Sequence, residues 1–385
     1  MAPELSWDDE GQAAEVLRLA AELQRLTEGE AIDRQRLADA IRLANDGVSR
    51  VGESPPVAVL RSVGYLLARK AEALEVLGQA SEATATYEEI VARFGSTTDP
   101  YLGQCVAEAF SDAATSLLRV GDTDRALAVA GAGVEWLRGR RSIGSPEQST
   151  AALAVALYQY AKLQLRLGLS EAATNTLERV VAEVDPTGLG QTGGLDTTRF
   201  VATALNQRGD ALYDLGRPQE AVESYERAAR VASEGDSAIP LLIANAWIGT
   251  SYAQRDLGMH KESVHSADEA LAQLRRSSGL DAQDRVAQAL ISKGVGLIMS
   301  GDTKRASKAY DDVIVRFGGS NDPRLRRAVA IALVEKANLL AAAHRYDEAR
   351  VACDEVERQS VGATDPNLSM YVQQAMVIRD SIPTD

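Results

Sequence analysis

Residues 209–228 read GDALYDLGRPQEAVESYERA, and the order of small, apolar and turn-forming residues in this stretch decides the fold. Gly209 and Leu212 stand at helical spacing ahead of Gly216, and Ala221, Tyr225 and Ala228 resume that spacing behind it. A glycine between two helical runs adopts the positive φ that ends a helix at little cost, so the stretch predicts two antiparallel helices joined by a tight turn. One such pair cannot bury both of its apolar faces and needs neighbours.

The neighbours are written into the rest of the chain. The same phrase returns as LEVLGQASEA around Gly78, LLRVGDTDRA around Gly121, LRLGLSEAA around Gly168, RDLGMHKES around Gly258 and IMSGDTKRA around Gly301, while AAAHRYDEA puts His344 in the glycine slot. Seven occurrences, 42 to 48 residues apart, describe an array of helix pairs. TYEEIVARFGSTTDP (86–100) and AYDDVIVRFGGSNDP (309–323) agree in register at Tyr, Arg, Phe, Gly, Asp and Pro. The junctions Asp99-Pro100, Asp322-Pro323 and Asp365-Pro366 place a capping carboxylate before a proline at the first helical position, where its missing N–H costs nothing.

The expected architecture is an all-α solenoid of eight antiparallel helix pairs and a closing helix, without a sheet. Residues 1–56 form an N-terminal helical cap, 57–362 seven repeats, and 363–385 a closing helix and tail. Acidic residues outnumber basic ones by eight to two within the first 30 positions, which suits the solvated outer face of a terminal pair. Tyr87, Tyr225 and Tyr310 are expected to wedge between the two helices of their own pair. Two repeats depart from the pattern: Ala130 stands where a tyrosine is expected, and Ser263 where an alanine is expected. The breaks at 140–149 and 185–196 account for the two longest periods and read as edge loops.

The sequence Ala71, Leu74, Gly78, Ala83, Tyr87, Ile90, repeated as Gly209 to Ala228 and as Gly294, Leu297, Gly301, Ala306, Tyr310, Val313, resembles the tetratricopeptide repeat. The resemblance runs over residues 57–359. The family's usual period is about 34 residues, so helices or linkers are longer here. The resemblance implies a superhelix whose inner wall is lined by the first helix of each pair, where partner peptides or helices dock. Its inward positions, the second, fifth, ninth and twelfth of each first helix, fall on Tyr158 and Lys162, then Asn206, Asp210 and Tyr213, then Asn245, Tyr252 and Arg255. Further along they fall on Ile291, Val295, Ile298 and Val334, with Asn338. The polar middle suits hydrogen bonding to an extended backbone, and the apolar end suits an amphipathic helix. The Lys/Asn/Arg clamp with which chaperone-binding members hold a terminal carboxylate is not reproduced, since Lys162 stands alone.

Charge and motifs exclude other classes. Forty-one basic against fifty-five acidic residues leave a net charge of −14, which repels nucleic acid. The dense basic clusters, Arg138, Arg140 and Arg141 with Arg324, Arg326 and Arg327, are expected to pair with neighbouring acidic helices or a partner's carboxylates. GLGQTG at 188–193 satisfies the dinucleotide fingerprint only as a string, because helices flank it instead of a strand and a βαβ unit. His260, His265 and His344 lack ligand spacing, and Cys105 and Cys353 cannot make a disulfide framework and read as small apolar residues in a reducing compartment. Acidic pairs such as Glu88-Glu89 and Asp311-Asp312 belong to solvated faces of second helices. No catalytic, metal or cofactor constellation is expected. Glu4, Asp8, Asp9 and Glu10 stand where a signal peptide needs basic residues, and no apolar run is long enough to span a membrane, so a cytoplasmic protein is expected. The heavy use of arginine over lysine, with abundant alanine, fits a GC-rich bacterial genome.

The leading functional expectation is a protein–protein interaction module, an adaptor or scaffold. A peptide-sensing regulatory receptor that switches an effector is the second, although no helix-turn-helix is recognisable. An enzyme is the third, with no motif behind it. The partner is a protein or peptide, neither nucleic acid nor membrane, and self-association is not indicated.

Overall fold

A computed structural model describes residues 14–16, 18–22, 34–51, 55–140, 146–184, 191–192, 195–234, 239–360 and 366–383. The chain divides into two compact bodies, Met1–Asp185 with Gln191–Leu195, and Pro186–Gly190 with Asp196–Asp385. The first holds α1 (Arg34–Ser49), α2 (Val57–Val76), α3 (Ala80–Phe94), α4 (Pro100–Arg119), α5 (Thr123–Arg138), α6 (Pro146–Arg166) and α7 (Ser170–Glu183). The second holds α8 (Thr197–Asp214), α9 (Pro218–Glu234), α10 (Pro240–Asp256), α11 (His260–Gln273), α12 (Leu280–Met299), α13 (Thr303–Phe317), α14 (Pro323–Ala342), α15 (Tyr346–Ser360) and α16 (Pro366–Ser381). Residues 14–16 and 18–22 are also helical. Within each body every helix packs on the next, and in the second body the successive first helices α8, α10, α12 and α14 also touch one another. The layer of first helices is therefore the tighter one, which makes it the inner wall of each body.

The fold is the all-α solenoid of antiparallel pairs that the repeats call for. One detail differs from the expectation of no sheet. Gln191–Thr192 and Leu195–Asp196 form a two-residue ladder, β1 and β2, inside the long break before α8. The GLGQTG string and Asp365 fall largely outside the described residues.

Local chemistry sets the helix ends. Gly78, Gly121, Gly168, Gly216, Gly258 and Gly301 all have φ between 70° and 85°. At each, the following N–H closes a six-residue loop onto the helix, as Gln79 does to the Leu74 carbonyl at 2.9 Å and Arg217 to Leu212 at 2.9 Å. His344 takes the same turn at φ 57°, and its Nδ1 lies 2.7 Å from the Tyr346 hydroxyl. At the other ends, Asp99 accepts from the Leu102 N–H at 3.1 Å, and Asp322 from Arg324 at 2.9 Å, each before a proline at the first turn.

The core lies along the seams between helices. Tyr87, Tyr225 and Tyr310 are 4%, 3% and 0% exposed. Tyr225 does more than wedge within its own pair, because it also meets the next first helix. A Cβ added at Gly209 on α8 or at Gly249 on α10 would come within 2.5 Å of its ring. Glycine at both places lets the two backbones clamp the phenol. In the repeat that carries Ser263, the Ser251 hydroxyl lies 3.0 Å from that of Ser263 and 2.7 Å from that of Ser292, a fully buried triad joining α10, α11 and α12. The irregular serine is thus a satisfied polar core.

Candidate functional site

In the second body the inward positions of α8 and α10 bring five directional side chains together. Tyr213 on α8 donates to Asp256 of α10 at 2.6 Å. Arg255 stacks on the Tyr252 ring at 5.3 Å and reaches Asp256 at 3.3 Å. Asp210 accepts from the Tyr225 hydroxyl at 2.7 Å and keeps an open edge. Desolvation by the surrounding protein pushes the Asp210 carboxyl up, Asp214 adds to this, and the Tyr225 hydrogen bond and Arg285 oppose it. Tyr252 is raised mainly by burial, against Arg255 and Arg285. Asp210, Tyr213, Tyr252, Arg255 and Asp256 therefore form one mixed-charge patch across two first helices.

Asn206 and Asn245 sit differently from these. Asn206 is only 8% exposed, and its Nδ2 donates to the Leu242 carbonyl at 3.3 Å, tying α8 to α10. Asn245 is half-buried, and the Oδ1 atoms of both residues lack a partner among the described residues. Ile291, Val295 and Ile298 are half-buried on α12, Val334 is buried on α14, and Asn338 is exposed. Arg285 was not among the inward positions. On α12 it lies one helical turn ahead of the positions read as inward, and it comes within electrostatic reach of Asp210 and Tyr252. Continuing the helical spacing one turn toward the start of the helix reaches it.

In the first body Lys162 lies 5.7 Å from the Tyr158 ring centroid, with Tyr158 half-buried and Lys162 exposed. The inner wall between α2 and α4 is acidic, which the search for isolated motifs passed over. Burial raises Glu72, and it pushes Asp112 up to about 6, helped by Glu108 and Glu72. The expected pairing of the arginines with acidic groups is seen for Arg324 and Arg138, whereas Arg326 donates to the Gln359 backbone carbonyl. Arg324 bonds Asp281 at 2.8 Å and Asp322 at 3.2 Å, Arg138 bonds Glu135 at 3.0 Å, and Arg140 stacks on Trp136. Arg141 lies outside the described residues. Glu88 pairs with Arg125 in the open, and Asp311 pairs with Lys336 in a half-buried setting. Among the described residues no group of three or more His, Cys, Asp or Glu could hold a metal ion, and no helix is long and apolar enough to cross a membrane.

The pattern of the family described as Tetratricopeptide repeat matches residues 202–234, which is the α8–α9 pair. No curated protein matches the chain. Among solved structures the chain is similar to the apo form of RapI, with 12% identity, a TM-score of 0.55, and 96% of this chain and 98% of that one covered. It is also similar to the C-terminal part of a TPR repeat-containing protein from Cytophaga hutchinsonii, with 15% identity, a TM-score of 0.50, and coverages of 79% and 98%. At these identities the likeness is one of fold.

Proposed function

We propose that this all-α solenoid, whose α8–α9 pair matches the tetratricopeptide-repeat pattern, is a non-catalytic interaction module, an adaptor or scaffold that holds a partner protein or peptide on the inner wall of its first helices. The observation that carries the reading is the patch of Asp210, Tyr213, Tyr252, Arg255 and Asp256 on α8 and α10. Aromatic and charged groups with fixed partners offer directional contacts without a large ordering cost, and such groups dominate binding energy at interfaces. Tyr158 and Lys162 extend the same kind of surface in the first body. Both cysteines are free and buried, which suits work in the reducing cytoplasm.

The test is a pull-down that identifies the partner, followed by titration of variants. Arg255→Glu and Asn245→Ala keep helical content and weaken the partner by about ten- to a hundredfold, through lost hydrogen bonds to charged or amide groups. Normal binding by both, with loss on substituting Glu88 or Arg227 of the second helices, moves the interface to the outer face and rejects the reading.

A further inference from the structure

The degenerate repeat of the first body leaves a hole. In the second body the Tyr225 ring occupies the space between Gly209 on its own first helix and Gly249 on the next. The equivalent places two repeats earlier are Ala130 on α5 for the tyrosine, Ala114 on α4 and Gln159 on α6. All three line a cavity of about 220 Å³, open on one side. Helices α4 and α6 touch only sparingly here, while α8 and α10 lie close together. Ala267 likewise stands in a tyrosine slot, yet it is 0% exposed, because its neighbours Ser251 and Ser292 are small and bond across the gap. At Ala130 the neighbour is Gln159, too long to let α6 close in.

The walls combine two chemistries. Phe110, Leu118 and Leu163 supply apolar surface, and Lys162 and Arg166 supply positive charge. No carboxylate lines the cavity among the described residues, and Arg166 has no ion-pair partner among them. An apolar cavity of about 150 Å³ already accepts benzene, so this one holds a ring with a short polar tail. We propose that it is a binding site for a small aryl carboxylate, with the aromatic ring in the space of the absent tyrosine and the carboxylate paired with Arg166 and Lys162. Such a site is independent of the patch on α8 and α10.

The probe is 3-phenylpropionate, titrated calorimetrically into the full chain, with 3-phenylpropanamide as its uncharged counterpart. The carboxylate binds saturably, one to one, with a dissociation constant on the order of 0.1–1 mM for a ligand of this size, and the amide binds about tenfold more weakly. Ala130→Tyr refills the slot, raises the denaturation midpoint and weakens the carboxylate more than tenfold. Arg166→Gln combined with Lys162→Gln brings carboxylate and amide to equal affinity. If Ala130→Tyr does not fold by circular dichroism, Ala130→Leu answers the same question. Unsaturable binding, equal affinity for the two probes in the parent chain, or undiminished binding after the slot is filled each overturns the proposal.

Discussion

The hydroxyl of Tyr225 donates to Asp210 at 2.7 Å, so one side chain of α9 both fills the gap between α8 and α10 and anchors a carboxylate of the inner wall. Tyr310 occupies the same register two repeats later, but the place of Asp210 is taken there by Val295, and the Tyr310 hydroxyl is buried without a partner among the described residues. The two phenols should therefore respond oppositely to the loss of one oxygen. Tyr225→Phe removes the bond to a carboxylate that water can still reach and costs about 0.5–1.5 kcal/mol, whereas Tyr310→Phe removes an unpaired polar atom and is neutral or stabilising by up to about 1 kcal/mol. Urea midpoints of the two variants decide this, and equal losses would contradict the assigned pairing.

Asp112 makes stability depend on pH in a defined direction. Its carboxyl is pushed up to about 6, mainly by desolvation and then by Glu108 and Glu72, while the unfolded chain keeps the ordinary value near 3.9. Between about pH 4 and pH 6 the folded chain holds a proton that the unfolded chain has released, so this group's contribution declines as pH rises through that window. Asp112→Asn is then more stable than the parent at pH 8, by an amount on the order of 1 kcal/mol once screening by open water is allowed for. The two chains should melt together near pH 4. A gap that widens toward acid would reverse the sign.

His344 pays a backbone cost that the six glycines in equivalent turns do not. At φ 57° a side chain with a Cβ is strained, and the Tyr346 contact offsets only part of that. His344→Gly should raise stability by about 0.5–1 kcal/mol, while Gly216→Ala, at φ 70°, should lower it by about 1 kcal/mol. Thermal melts of the two single variants check the pair of signs.

Helix ends and repeat register were legible in the sequence because their causes lie within a few residues. A positive φ at Gly216 and a carboxylate before Pro100 act on the backbone beside them, and no distant partner can change that requirement. The wedge of Tyr87, Tyr225 and Tyr310 was legible for a related reason, since each recurs nine residues after its turn and so faces the same seam. Tertiary structure alone decided what each seam became. Asn206 spends its amide on the Leu242 carbonyl of the next first helix, 36 residues away, and Arg285 joins the wall by its reach toward Asp210 and Tyr252 on two other helices. Ala130 and Ala267 are the same residue in the same slot, yet one borders a cavity and the other is sealed. The difference is set by Gln159 against Ser292 on the following helix, because how closely two helices approach depends on the side chains both of them bring to the contact.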